Sequence, residues 1–312
     1  MNIQQYNDYI ACDYARLDRY ISEHLQLLSR SQIKSVTIDA LTVNGKKAKW
    51  SQKVRVGDHL MLTWQAPESF SLLPQDIPLD ILYEDEHVWV INKAQGMVVH
   101  PGAGRKRDTL ANALAYRLQQ SQGEIYDEQR LGIVHRLDME TSGVIICAKD
   151  AKTHAFLAQQ FKDRTVKKRY MAILATPHLT PARGLIQNYL DRSRRVRTHF
   201  VCGDNPERGR FAATGYRLLA NFNALSLVLF KPYTGRTHQL RVHAKSELFP
   251  IVGDPIYYRE DPRETSLMLH AWKLQIRLPH EDAPRTFMAP VPDRFYRCLA
   301  LHKREKFADT KE

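Results

Sequence analysis

Two short stretches hold the side chains best suited to chemistry. In "IVHRLDMETSG", Ile133 to Gly143, an apolar pair runs straight into His135, Arg136 and Asp138. In "YTGRTHQLRVH", Tyr233 to His243, Thr234 and Gly235 turn the chain, Arg236 follows, and Thr237 is placed to cap a predicted helix. If the two stretches meet, a guanidinium beside Asp138 favours the ionised carboxylate and fixes its orientation through paired hydrogen bonds. A positioned, ionised Asp can serve as a nucleophile or a base. Spacing alone does not separate that role from a solvated turn, because Asp is a common turn residue.

Several elements must carry these residues. "LDILYED" and "HVWVINK" are predicted strands, and "DTLANALAYRLQQ" is a helix capped by Asp108 or Thr109. "GIVHRLD" and "GVIICAKD" are predicted strands on either side of the Asp138 loop. "AKTHAFLAQQFKD" is a helix, and "KKRYMAILA" and "ALSLVLFKP" are strands. "TPARGLIQNYL" and "GYRLLANFN" are hairpin elements, "GRTHQLRVHAKSE" a helix, and "LMLHAWKLQIRLP" and "RTFMAP" the closing strands. Strands outnumber helices and no βαβ repeat appears, so the expected class is α+β with a mostly antiparallel sheet. The polar end "HKREKFADTKE", with residues 303–312, is expected to fray.

The first part of the chain differs in character. Residues 15–66 carry nine Lys or Arg against four acids. "RLDRYISEHLQLL" spaces Leu17, Ile21, Leu25 and Leu28 as one face of a helix, and Ser29 can cap a second helix. "LTVNGKKAKW" reads as a strand turning at Asn44-Gly45 into a hairpin, and "VRVGDHLML" as a further strand. Ser29, Arg30 and Lys34 would sit near a helix N-terminus, where backbone N–H groups favour phosphate. "APESFSLLPQDIP", with three prolines, reads as a linker over 67–78 into a second domain over 79–302.

Composition narrows the partners. The 312 residues carry a formal net charge of +12, which favours a polyanion, nucleic acid before an anionic membrane surface. Cys12, Cys147, Cys202 and Cys298 are scattered, so neither a disulfide framework nor a zinc knuckle is indicated. His238 and His243 lie on one predicted helix, but no third ligand is evident, so no metal is expected. No stretch approaches the roughly 18 consecutive apolar residues that a membrane span needs. A cytoplasmic, soluble monomer is the expectation.

These residues resemble known families. Residues 15–66 resemble the S4-like RNA-binding domain, through Arg16-Leu17-Asp18, Ser29-Arg30-Ser31, Ile33-Lys34, Val43-Asn44-Gly45-Lys46 and Val56-Gly57-Asp58. On that resemblance Arg16, Arg19, Ser29, Arg30, Lys34 and Lys46 are RNA-binding candidates. "HRLDMETSG", "GRTHQLRVH" and "VGDPIYY", with "YEDEHVWVINK", "VVHPG" and "KKRYMA" in order before and between them, resemble the RluA family of pseudouridine synthases, in its large-subunit rRNA branch. The resemblance implies that a uridine in RNA is detached at its glycosidic nitrogen, rotated and rejoined through carbon five, without cofactor or metal. It implies that Asp138 is the essential Asp, that Arg236 pairs with it, and that Tyr170 stacks on the target base. Leu240 would line the base pocket, and His135 and Arg136 would contact RNA or shape the loop. The basic runs at Arg105 to Arg107 and at Arg192, Arg194, Arg195 and Arg197 are further candidates to track phosphates.

Overall fold

The structure, a computed structural model, describes residues 3–28, 33, 36–65, 72–102, 105–120, 131–196, 198–258 and 266–308. The chain divides into two units, Met1–Ser71 and Leu72–Glu312.

The first unit contains β1 (Ile3–Tyr9), α1 (Leu17–Arg19), β2 (Ile38–Val43), β3 (Lys46–Lys47) and β4 (His59–Gln65). Its antiparallel sheet runs β1-β4-β2-β3. β4 alternates, so Leu60, Leu62 and Trp64 enter the core while their neighbours stay at the surface. α1 continues into a wider turn over Tyr20–His24, where the Leu25 N–H reaches back five residues to the Tyr20 carbonyl. Leu17, Ile21 and Leu28 are buried and Leu25 is half-buried, but the helix predicted across all four ends at His24, and Gln26 lies at φ 53°. The hairpin also forms where predicted, with Asn44 and Gly45 both at positive φ (53° and 72°), the signature of a type I′ turn. β1 is unexpected. "IQQYNDY" is an exposed edge strand with no apolar alternation to betray it. The second helix predicted from Ser29 falls largely outside the described residues, as do Ser29, Arg30 and Lys34 themselves.

The second unit contains β5 (Ile81–Glu84), β6 (Val88–Lys93), α2 (Leu110–Gln120), β7 (Ser142–Ala148), α3 (Ala151–Lys162), β8 (Lys167–Leu174) and β9 (Arg183–Arg192). It continues with β10 (Phe200–Gly203), β11 (Arg210–Asn221), β12 (Ser226–Pro232), α4 (Gln239–Glu247), β13 (Leu269–Ile276), β14 (Arg285–Met288) and α5 (Asp293–Ala308). The ten-stranded sheet has the order β10-β9-β11-β12-β8-β13-β7-β6-β5, with β14 paired to β13. Every neighbouring pair is antiparallel except β13 with β7, so this is the mixed, mostly antiparallel α+β unit that the strand pattern predicts.

The sheet forks at β13. β7 pairs with it only at His270 and Ala271, and from Lys273 onward β14 takes that edge. β7 is buried along its whole length, because apolar clusters cover both of its faces. Trp89, Ile91 and Ile145 pack with Leu110 and Leu114 of α2 on one face. Val90, Val144 and Ile146 pack with Leu157 of α3 on the other. Asp150 caps α3, accepting the Thr153 N–H at 2.8 Å.

Three predictions differ from the fold. Gly132 to Asp138 is not a strand. Apart from one bridge, between Ile133 and Cys147, the segment holds to β7 through a ring and a loop carbonyl rather than a ladder. Thr237 does not cap α4. His238 takes that place in the left-handed conformation, at φ 55°, and contributes no side-chain cap. The polar end does not fray at residue 303 but continues α5 to Ala308, a helix that buries Phe295, Cys298 and His302 at three- and four-residue spacing.

Candidate active site

Asp138 stands just before β7, where the sheet forks. The loop that carries it is held by contacts from several distant segments. The Thr141 N–H returns to the Asp138 carbonyl at 3.0 Å. Leu137 is buried against the cluster over α2. Lys93, at the end of β6, is fully buried, and its Nζ donates to the carbonyls of Ala94 and Met97 at 2.8 Å and of Met139 at 3.2 Å. The Gly96 N–H reaches the same Met139 carbonyl at 2.9 Å. Gln95 donates to the carbonyls of Glu140 (2.8 Å) and Leu267 (3.1 Å), which ties the loop to the approach to β13. Burial of Lys93 pushes its pKa down to about 8, against the opposing pull of Glu140 and Asp138.

His135 shapes this loop. Its Nε2 accepts the Ile146 N–H at 3.0 Å, and its ring stacks on Phe161 at 4.5 Å. Burial, with the Lys168 charge behind it, pushes the imidazole down to about 3, so it remains a neutral acceptor. Arg136 points out of the loop, exposed, at the rim of the cavity.

That cavity has a volume of about 460 Å³ and opens beside Asp138. Tyr170, from β8, forms one wall and packs against both cores of the unit. Burial, then the Asp138 charge, raises the Tyr170 phenol above its ordinary range. Leu240 also lines the cavity and is 7% exposed.

The guanidinium expected beside Asp138 is there, but it is not that of Arg236. Arg241 Nη1 lies 3.6 Å from Asp138 Oδ2. Arg241 is itself locked in place by Asp254, fully buried, through bonds of 2.8 and 2.7 Å, and its guanidinium lies 5.2 Å from the Tyr257 ring centre. Arg236 instead directs its Nε to the Phe211 carbonyl at 3.1 Å. The cause is the late start of α4: Arg241, in the first turn, faces inward, whereas Arg236 stays on the turn before the helix.

Gln239 fixes that turn. Its amide donates to the Ala213 carbonyl (3.0 Å) and Thr214 Oγ1 (2.8 Å), and its Oε1 accepts from Thr234 Oγ1 (2.7 Å) and the Arg236 N–H (3.0 Å). His238 enters the cavity wall with its Nδ1 at 3.0 Å from the Tyr257 hydroxyl. Burial lowers its pKa and Asp138 opposes that shift. His243 lies deeper, with Nδ1 at 3.0 Å from Thr214 Oγ1 and Nε2 at 2.9 Å from Asn188 Oδ1. Among the described residues, no three His, Cys, Asp or Glu side chains converge to hold a metal ion.

Lys93, Gln239, Arg241 and Asp254 were not among the predicted site residues. Lys93 left a signal, a charged residue directly ending the apolar run "VWVIN", while Gln239 and Arg241 lie in "GRTHQLRVH" and Asp254 in "VGDPIYY", motifs already singled out. In the first unit, Arg16 forms a two-point pair with Asp18 and Arg19 with Glu23, while Lys46 lies exposed on β3. Of the second basic run, Arg197 lies outside the described residues.

Comparison with known proteins gives this geometry a context. Residues 87–246 match the RNA pseudouridylate synthase family. The chain is 42% identical, over 90% of its length and 87% of the relative's, to ribosomal large subunit pseudouridine synthase D of Borreliella burgdorferi. It is 36% identical to the protein of that name in Escherichia coli strain K12, over 89% of this chain and 87% of that one. Among solved structures, human RNA pseudouridylate synthase domain containing 4 superposes with a TM-score of 0.57 at 26% identity, over 72% of this chain and 93% of its own. Its domain containing 1 counterpart gives 0.54 at 28% identity, over 76% and 98%. Among the described residues, no helix is long and apolar enough to cross a membrane.

Proposed function

Because the chain belongs to the RluA/RluD family of RNA pseudouridine synthases, we propose that it converts specific uridines of large-subunit ribosomal RNA to pseudouridine, with Asp138 as the essential group. The reaction is an isomerisation. The bond from the sugar to N1 breaks, a bond from the sugar to C5 forms, C5 loses a proton and N1 gains one. Nothing is added or removed overall, so the chemistry calls for positioned protein groups rather than a co-substrate.

The observation that carries this reading is the placement of Asp138. It sits at the wall of a cavity large enough for a nucleoside, with Arg241 at 3.6 Å to hold and aim its carboxylate. A uridine within folded RNA reaches such a cavity only by leaving its stack, at a cost of a few kcal/mol. Tyr170 gives the flipped base an aromatic face. Its phenol lies on the same cavity wall as Asp138, where it can also help to remove the proton from C5. Arg136, exposed at the rim, is placed to contact the RNA that the base has left.

The first unit is proposed as an S4-like RNA-binding domain that anchors a large folded target. Its exposed Lys46 supports this, as does the excess of basic residues over 15–66. The names of the bacterial relatives favour large-subunit rRNA over tRNA.

The test is pseudouridine mapping of total rRNA and tRNA in a strain lacking the gene, complemented with wild-type protein or Asp138→Asn. Large-subunit sites should vanish and return only with wild type. Purified Asp138→Asn should form no product yet hold RNA within roughly tenfold of wild-type affinity, since only a reacting group is lost. Sites lost from tRNA alone would overturn the substrate, and no lost site would overturn the enzyme.

A further inference from the structure

Beside the catalytic cavity lies a second cleft of about 320 Å³, built on the β9–β10 hairpin and the start of β11. Four arginines line it, Arg192, Arg208, Arg210 and Arg236, with a single carboxylate, Asp191. Gly235, Arg236 and Thr237 line both cavities, so the turn before α4 is their common wall.

The four cations outnumber the one acid of the cleft. Among the described residues, none of them is ion-paired with an acid. Asp191 accepts the backbone N–H of Arg192 at 2.7 Å. Arg236 uses its Nε on the Phe211 carbonyl, and Arg192 lies 5.7 Å from the Phe200 ring centre. Burial, then the charges of Arg164 and Arg210, push Arg236 below its ordinary range, as crowding of like charges in a recess requires. An arginine on an open surface is well solvated and signals little. Four guanidiniums gathered around one cleft with a single carboxylate leave an excess of positive charge that an entering anion offsets. Their planar forks match the oxygens of a phosphate.

We propose that this cleft is a phosphate subsite, which holds a phosphodiester adjoining the uridine in the catalytic cavity. The inference rests on the RNA reading given above. A flipped nucleotide stays joined to its neighbours, so its backbone must leave the cavity past some wall. The wall at Gly235 to Thr237 leads directly to the four arginines of the second cleft. Arg236 then belongs to the hold on the backbone rather than to the orientation of Asp138, and its late position before α4 acquires a purpose.

The test combines protein and RNA changes in one cycle. The protein change is Arg208→Ala with Arg210→Ala, two exposed residues that do not line the catalytic cavity. The RNA is the large-subunit hairpin that loses its pseudouridine in the deletion strain, made with one neutral methylphosphonate linkage at a time around the target uridine. Wild type should bind the unaltered hairpin about tenfold more tightly than the variant, the scale of lost charged hydrogen bonds. One linkage next to the uridine should cost wild type a similar factor and cost the variant less than about twofold, because its partner is already gone. Arg192→Gln is a second variant, should the pair disturb the hairpin, and it should show the same masking at the same linkage. Equal losses in wild type and variants at every linkage would overturn the subsite and leave the enzyme reading intact. If the deletion strain loses no site, that reading falls and the subsite falls with it.

Discussion

Replacing Arg241 with methionine separates the two tasks assigned to this side chain. It is 3% exposed and Asp254 is 0% exposed, so the pair between them is closed to water. A methionine fills comparable length without charge. Asp254 would lose bonds of 2.8 and 2.7 Å but keep the N–H groups of Ile256 and Tyr257, both at 2.9 Å. Removing one partner of a buried pair costs about 3–5 kcal/mol, and the two remaining donors place this case near the lower end. Against a total stability of about 5–15 kcal/mol, the variant should fold with a visibly lower urea midpoint. Adding Asp254→Asn removes the stranded charge and should recover about 2 kcal/mol. Activity should not recover with it. Asp138 would still lack the guanidinium at 3.6 Å. Two charges about 4 Å apart attract by about 4 kcal/mol at an effective dielectric constant of about 20, and partial exposure of Asp138 reduces this to about half. Single-turnover pseudouridine formation should therefore fall about 30-fold in both variants. A double variant no more stable than the single one would refute the stranded-charge argument. A rate that returns together with stability would show that Arg241 acts through the fold alone.

Three further outcomes follow from buried groups and one backbone contact. Burial pushes His135 down to about 3 and His243 and His270 to about 4, so each stays neutral in the fold and gains a proton on unfolding below about pH 6.5. The stability they contribute is present above that pH and is lost as pH falls, by about 1.4 kcal/mol per pH unit for each, and His243→Gln should lower the slope measured by urea unfolding between about pH 6.5 and 4.5 by about that amount. Lys93 titrates near 8 in the fold, so between about pH 8 and 10 only the unfolded chain keeps the proton and stability rises with pH; Lys93→Met should reduce that rise, to which Lys168, also lowered by burial, adds, and a rise of the same size would acquit Lys93 as a source. Gly143 lies at φ 116°, where an added Cβ would overlap the Ala271 carbonyl across the fork, so Gly143→Ala should cost about 2–4 kcal/mol. Gly96→Ala, at φ 83° in open space, should cost only about 1 kcal/mol, and equal costs would dismiss the close approach as their cause.

What was legible in the sequence, and what was not, divides by the distance over which each residue finds its partner. The Asn44-Gly45 turn, the start of α3 after Asp150 and the buried runs of β6 and β7 are settled within a few residues, and all form as their patterns predict. The segment before Asp138 was misread because Ile133 and Val134 fit a strand locally. The acceptor for the Ile146 N–H is the ring of His135, eleven residues away, and no hydropathy pattern records that exchange. Arg236 and Arg241 share one motif, and only the left-handed turn at His238 decides which of them faces Asp138. Lys93 and Gln95 show the same limit more sharply. They hold the Asp138 loop through carbonyls 46 and 172 residues further along the chain. The fork at β13 also calls for distant pieces. A strand that leaves its neighbour after two residues exposes the donors and acceptors of both, and these must be paired from elsewhere or remain unsatisfied. Past the fork, the His135 ring takes the Ile146 N–H, the Gly132 carbonyl takes the Ala148 N–H, and β14 takes the free edge of β13. Lys93 and Gln95 act instead on the Asp138 loop itself, whose Met139 and Glu140 carbonyls they hold, and so fix the loop that lines the cavity.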